Sequence, residues 1–515
     1  MTGRWPEMGE AVASYISTLS PVFFVSQVFT IVILTVFGSL IVVCACKGRS
    51  SLFDVLLYFP VGISVYALVS FALLVSGIKF GLLSVTVVCV LIAAAAIFMI
   101  VRKGWSVTGG FTGKQVIIGM ITLLCISVIS TSGIISVSVM NDSLYYYSMY
   151  PKALVHYGYL RPNFNVFLTD IGQMSALINT LPYMYGFNEN FGILTCLNIN
   201  TLLLFAYAVY ECSIRYLGKK TAMVTSVMLT LVLVSSMPYV IMSKWMMSNS
   251  YFMCFMFICV YAAFRTGEDK DTAIPAGRLF IIGIMFSVLS FLRMEGCVIA
   301  IILVLCFSVL AFSNRQLTVT FLLPVIVIAA VYDVKVFMMM DIDAPYTFLT
   351  PAKAAIQMAA LAAVTVYILL LRGRMPAIMD KRLDLIIPGG LVLVNTLLCI
   401  YNPGRYLGNL KAFVYNISHR SGWGLFPMLL VAVYVLCFIV SCGKGTFGYT
   451  FWDMCLVSYL LTCLAVGFAR GDALRESIGD SGNRVLLQVT ILAFYAACVH
   501  VISALLPDVK GTAGD

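Results

Sequence analysis

The chain has 515 residues, of which 61% are hydrophobic and only 10% charged, and its mean hydropathy is +1.01. A soluble domain is about 45–50% apolar and about 25% charged, so a soluble enzyme, a disordered chain and a secreted disulfide scaffold are excluded and an integral membrane protein of many spans remains. The formal net charge of +10 contains no run of five Lys or Arg, which excludes a polybasic arm for nucleic acid.

The first residues, MTGRWPEMGE, carry no basic stretch ahead of the apolar run and do not read as a cleaved signal peptide. A helix needs about 20 apolar residues to cross the hydrocarbon. Runs of that kind occupy 21–46, 52–77, 80–101, 115–138, 190–212, 220–242, 247–264, 278–292, 295–313, 318–334, 353–372, 384–401, 425–441, 450–468 and 486–506. They predict an all-α integral membrane protein of about 13–15 transmembrane helices. Short links join the first three, an N-terminal set within 1–114. Residues 115–506 read as one larger transmembrane module, and 507–515 as a short cytoplasmic tail. No repeat of about 20–50 residues appears, nor the similarity between halves that inverted-repeat transporters show. The 16 cysteines fall almost entirely inside apolar runs, as at Cys44, Cys125, Cys259 and Cys463, with no CxxC pair and no zinc-like spacing. They read as small hydrophobes of buried helices.

Orientation follows from Lys and Arg in short links. With the N-terminus outside, the cytoplasmic links hold Lys47 and Arg49; Arg102, Lys103 and Lys114; Arg215, Lys219 and Lys220; Arg265, Lys270 and Arg278; Arg315; Arg372, Arg374, Lys381 and Arg382; Lys444; and Lys510. The other side carries fewer basic residues on longer loops at 139–189, 335–352, 402–424 and 469–485. This asymmetry accounts for the positive charge, and no nucleic-acid partner is expected. One run tests the scheme. Residues 279–312 are too many for one crossing and are interrupted by Arg293-Met294-Glu295-Gly296. A charge at the bilayer centre costs about 2.5–3.5 kcal/mol, so two short helices meeting at the outer surface are predicted. Their turn is then sunk below that surface, facing protein or water.

The largest external loop opens on Asn141-Asp142-Ser143 and runs through Tyr145, Tyr146, Tyr147, Tyr150, Pro151, His156 and Tyr157 to Gly158. Asn141 or Asp142 suits a helix N-cap, Pro151 kinks or splits the helix, and Gly158 ends it. The tyrosines suit an amphipathic helix anchored in the interface. A second amphipathic helix is predicted over 170–181, capped by Thr169 and ended by Pro182.

A helix-end Asp142 in the first large external loop, followed by Tyr-rich interfacial helices, resembles the GT-C-fold membrane glycosyltransferases, in particular their bacterial members. The stretch through Tyr146, Pro151, Gly158, Gln173, Leu181-Pro182 and Gly186 is similar to theirs. So are the broken helix pair with Arg293-Met294-Glu295-Gly296 and the late external Asp480-Ser481-Gly482-Asn483-Arg484. The likeness covers about residues 115–506 in topology and a few short motifs in detail. The three earlier spans are additional to the family's usual pattern, and the large soluble C-terminal domain of some members has no counterpart in this sequence.

The resemblance implies a multi-pass enzyme of the plasma membrane with its active site on the extracytoplasmic side. Such an enzyme transfers a sugar from a polyprenyl-phosphate donor to a glycan, lipid or protein acceptor, with inversion at the anomeric carbon. The attacking acceptor group must lose a proton to a carboxylate base, and the resemblance gives that role to Asp142. The departing lipid phosphate needs a cation or several donors. The fixed fork of an arginine suits it, which points to Arg484 and Arg293, with Arg405, Lys411 and Arg420 behind them. Glu295, Asp480, Asp170, His156, His419 and Tyr146 complete the candidates for substrate binding.

Each candidate also has a structural use. Asp142 can serve as a cap, Arg293 and Glu295 can pair with each other, Asp480 and Arg484 form an i, i+4 pair, and Asp170 suits a helix N-terminus. The sequence requires no cofactor. Asp333, Asp341 and Asp343 have the chemistry for a divalent cation such as Mg²⁺ or Mn²⁺, yet they match no complete ion loop and no metal ligands are assigned. Two other classes fit a many-span protein. A lipid-linked-glycan polymerase or ligase would rely on external Arg and His, here Arg405, His419 and Arg420. A transporter or flippase of lipid-linked glycans would place charges deep in several spans, whereas these spans are nearly charge-free and the polar residues collect on one side.

Overall fold

The computed structural model describes residues 21–131, 145–164, 167–168, 171–185, 192–236, 239, 243, 245–268, 274–339, 349–374, 382–418, 426–444, 450–470 and 481–505. Among them all regular structure is helical. In chain order the helices are α1 (Pro21–Ala45), α2 (Leu52–Leu56), α3 (Tyr58–Ser76), α4 (Leu82–Lys103), α5 (Gly113–Thr131), α6 (Tyr150–Tyr157), α7 (Gln173–Ile178), α8 (Thr180–Met184), α9 (Gly192–Ser213), α10 (Lys219–Ser235) and α11 (Ser248–Gly267). They continue with α12 (Ala276–Leu289), α13 (Gly296–Phe307), α14 (Asn314–Met339), α15 (Pro351–Leu371), α16 (Leu383–Tyr401), α17 (Pro403–Ser418), α18 (Phe426–Lys444), α19 (Phe451–Arg470), α20 (Ser481–Leu487) and α21 (Thr490–Leu505). Ten of these are long and apolar enough to cross a membrane, and each falls on a run that predicted a span. The chain is an all-α protein of the multi-pass membrane kind.

The centre of the bundle is α11. Every side chain from Ser248 to Ala263 is buried, which an apolar helix achieves only when neighbours surround it. Phe257 stacks on Tyr261 at 5.9 Å, and Tyr495 of α21 meets both rings edge-on. The N-terminal spans belong to this packing. α1 crosses α3 at Gly38 and Gly62, where a Cβ on Gly38 would lie 2.6 Å from the Gly62 nitrogen. α3 then reaches the first loop through Tyr66, whose hydroxyl is 2.7 Å from Thr180 Oγ1, and the α12–α13 turn through the Phe71 ring, 5.8 Å from Phe291.

The predicted break at Arg293 is present. α12 stops at Leu289 and α13 starts at Gly296, so the two charges occupy a turn outside both helices. The basic links meet at the opposite end of the bundle, where they are tied by ion pairs. Arg278 reaches Asp54 at 3.3 Å, Arg265 reaches Glu211 at 2.8 Å, and Arg215 reaches Glu268 at 2.8 Å. Arg372 there donates to the carbonyls of Ser308 (2.8 Å) and Phe312 (2.7 Å), just past the C-terminus of α13.

The first loop departs from expectation in two ways. Tyr145–Met149 forms a single π-turn that hands over to α6 at Pro151, and Gly158 ends α6 at φ 76°. The second predicted helix starts later and continues further than expected, as α7 and α8. Pro182 does not stop it, because the chain restarts at Asn179 and the proline falls in the first turn of α8, where no N–H is needed. Nor is this pair a surface helix. Gln173 to Tyr183 are all buried, because α7 lies against α3 and the α12–α13 turn rather than along an interface.

Candidate functional site

The Arg293 turn collects the polar side chains of one end of the bundle. The Arg293 side chain is 14% exposed and its guanidinium is divided among three partners. Nε donates to Glu295 Oε1 at 2.5 Å, and Nη1 donates to Ser248 Oγ (3.0 Å) and Asn249 Oδ1 (2.8 Å). Nη2 makes no hydrogen bond among the described residues. Burial works against the cation, but the Glu295 charge outweighs it, and the Arg293 pKa lies above its ordinary value. Ser248 and Asn249 are there because α11 begins at Ser248, with no side-chain cap from Met247. This first turn combines unsatisfied backbone donors with a positive helix end.

Two further elements close on the turn. From the first loop, the Tyr147 hydroxyl lies 2.7 Å from Ser248 Oγ. Burial pushes the Tyr147 phenol up in pKa, opposed by the charge of Arg293 and, more weakly, of Arg484. From the last span, Gln488 Nε2 donates to Asn249 Oδ1 at 2.6 Å and Gln488 Oε1 accepts from the Tyr459 hydroxyl at 2.8 Å. Arg484, one turn earlier on α20, is half-buried with Nη1 at 3.9 Å from Met247 Sδ. Three segments distant in the chain thus bring together the two arginines singled out from the sequence, Glu295, and the start of α11.

The loop itself is seated by backbone contact. The Met174 N–H donates to the Phe291 carbonyl at 3.1 Å, and a Cβ on Gly172 would lie 2.5 Å from the Arg293 Cα and nearer to the Arg293 nitrogen and the Leu292 carbonyl carbon. Tyr150 donates to Gln173 Oε1 at 2.7 Å, and its ring stacks on Phe167 at 4.7 Å. Tyr146 is half-buried beside the same ring, 5.7 Å away.

Other candidates stand elsewhere. His156 is exposed near the end of α6 with its ring 5.0 Å from Tyr157. Arg405 is exposed on α17 and lies over Phe468 at 4.9 Å. Asp142, Asp170, Asp480, His419 and Arg420 lie outside the described residues, as do Asp341 and Asp343. Among the described residues no group of three His, Cys, Asp or Glu side chains is placed to hold a metal ion.

Sequence reasoning missed Tyr147, Ser248, Asn249, Tyr459 and Gln488 as members of the cluster. One signal was readable: Ser248-Asn249-Ser250 is a polar triplet at the mouth of an otherwise apolar span, and Gln488 interrupts another. It also missed the buried pair at the other end, where His500 Nε2 lies 2.8 and 2.9 Å from the two Asp453 oxygens.

No family model, no curated protein and no solved structure matches this chain.

Proposed function

We propose that this chain is a membrane glycosyltransferase that takes a sugar from a polyprenyl-phosphate-linked donor and passes it to an acceptor on the extracytoplasmic face. The observation that carries the reading is the Arg293 guanidinium. It is nearly buried and paired on Nε and Nη1, with Nη2 left unbonded among the described residues and Arg484 close by. A cation held this way in a low-dielectric setting suits a leaving phosphate, because its donors are aimed before charge develops and need no reorganisation. The N-terminus of α11 adds backbone donors of the same sign. Glu295 offsets part of the cost of burying Arg293 when no phosphate is bound.

In this reading Asp142 is the general base. It lies five residues before Tyr147 in the chain, whose hydroxyl reaches Ser248 beside Arg293. The acceptor hydroxyl or amide attacks the anomeric carbon as its proton passes to the carboxylate, and the bond to the lipid phosphate oxygen breaks. One displacement inverts the configuration.

The test is transfer of radiolabelled sugar from a panel of polyprenyl-phosphate donors by the purified chain in lipid nanodiscs. Asp142→Asn is expected to abolish transfer while expression and thermal unfolding stay as in the wild type. Near-normal turnover in that variant would remove Asp142 from the reaction. Absence of transfer from every donor by the wild-type chain would count against the reading as a whole.

A further inference from the structure

Arg293 and Arg484 come from segments far apart in sequence, and one side chain joins the scaffolds that carry them. Gln488 sits in the break between α20 and α21, is 1% exposed, and bonds through both ends of its amide. Nε2 donates to Asn249 Oδ1, which also accepts from Arg293 Nη1. Oε1 accepts from Tyr459, whose hydroxyl also lies 2.9 Å from the Val485 carbonyl, next to Arg484 on α20. The polarity of this chain has a single solution. Arg293 only donates, so Asn249 must offer its oxygen there, and Gln488 must then offer its nitrogen to Asn249. Turning either amide over would set oxygen against oxygen or N–H against N–H.

We propose that Gln488 is a positioning residue that ties α20 to the Arg293 turn and sets the spacing of the two arginines. Tyr459 is its anchor on α19. The helix break at Gln488 follows from this role, since a continuous helix would carry the side chain past Asn249 on the α11 end. The ligand of the paired arginines is that of the reading above, a lipid phosphate, and the inference rests on that reading for its ligand only.

The experiment uses the full chain in nanodiscs with two readouts. The first is the rate at which phenylglyoxal, an arginine-selective reagent, modifies Arg293 and Arg484, followed by mass spectrometry with exposed Arg215 at the opposite end as an internal control. Gln488→Met and Tyr459→Phe are each expected to raise the Arg293 rate at least 5-fold, with Arg215 unchanged and the thermal midpoint within a few degrees of wild type. Tyr459→Phe removes one oxygen without changing packing, so it reports even where Gln488→Met folds poorly. The second readout is protection of Arg293 by undecaprenyl phosphate. Gln488→Met is expected to weaken protection at least 10-fold, and the loss is expected not to add to that of Arg484→Met, as for residues acting through one unit. Unchanged Arg293 reactivity in both variants, or losses that add, would overturn the positioning role. If undecaprenyl phosphate protects neither arginine in the wild type, the lipid-phosphate reading fails, and the reactivity of the variants still decides the tether.

Discussion

Gly172→Ala tests whether the first loop is seated on the Arg293 turn. The glycine has φ −73°, which any residue adopts, so its need is not conformational. It is steric: the added Cβ would lie 2.5 Å from the Arg293 Cα, against the 3.4 Å at which ordinary contact begins. The atoms it meets are backbone, which cannot rotate away, so the loop and the turn must part by about 1 Å. Overpacking of this kind costs about 1–3 kcal/mol. The parting also strains the buried Met174 to Phe291 hydrogen bond, and losing it adds about 1–3 kcal/mol. The opposing gain from a stiffer unfolded chain is only about 0.4–1 kcal/mol, so destabilisation wins by about 2–5 kcal/mol. Gly119→Ala is the control, because no atom lies within 4 Å of its Cβ position and it sits inside α5. Alanine should be neutral or slightly stabilising there. The assay is the thermal midpoint of each purified variant in the same detergent, followed by intrinsic fluorescence. Gly172→Ala should fall well below wild type while Gly119→Ala does not. Equal midpoints for the two variants would refute the seating of the loop.

Glu295→Ala leaves Arg293 nearly buried without a counter-charge and should cost about 3–5 kcal/mol, visible as a lowered midpoint. Glu295→Gln keeps an acceptor for Nε and should cost less; a midpoint as low as that of the alanine variant would show that charge rather than the hydrogen bond holds the turn. Arg372→Ala removes donors from the carbonyls of Ser308, Leu310 and Phe312 and should cost about 2–4 kcal/mol. Arg372→Lys should recover little, because an ammonium lacks the planar fork that reaches several carbonyls at once. Full recovery by lysine in the same thermal assay would mean that charge alone matters there.

Much of the fold was legible because lipid imposes one rule on every span: about 20 apolar residues in a helix that satisfies its own backbone. The Arg293–Glu295 interruption was legible for the same reason, since a charge inside an apolar run has no cheap position except a turn. The burial of α7 was not legible. Its residues have the composition of an interfacial helix, and whether such a face meets lipid, water or protein depends on what α3 and the Arg293 turn present to it. Pro182 misled because a proline that ends one helix equally well starts the next, and the choice was made by the restart at Asn179.

The sequence by itself determined the class of protein, the positions of its spans and the end of the bundle at which its basic residues gather. Composition and hydropathy act locally and additively, so they can be read residue by residue. Only the tertiary structure decided which polar groups share a site. Tyr147, Ser248, Asn249, Arg293, Tyr459, Arg484 and Gln488 come from segments separated by as much as two-thirds of the chain, and each alone has an ordinary structural use. What joins them is hydrogen-bond polarity at distances of 2.6 to 3.0 Å, and no pattern along a single chain records that geometry. The scarcity of charge marked where such a site would lie, and the packing of α11 against the first loop and the last span determined which residues form it.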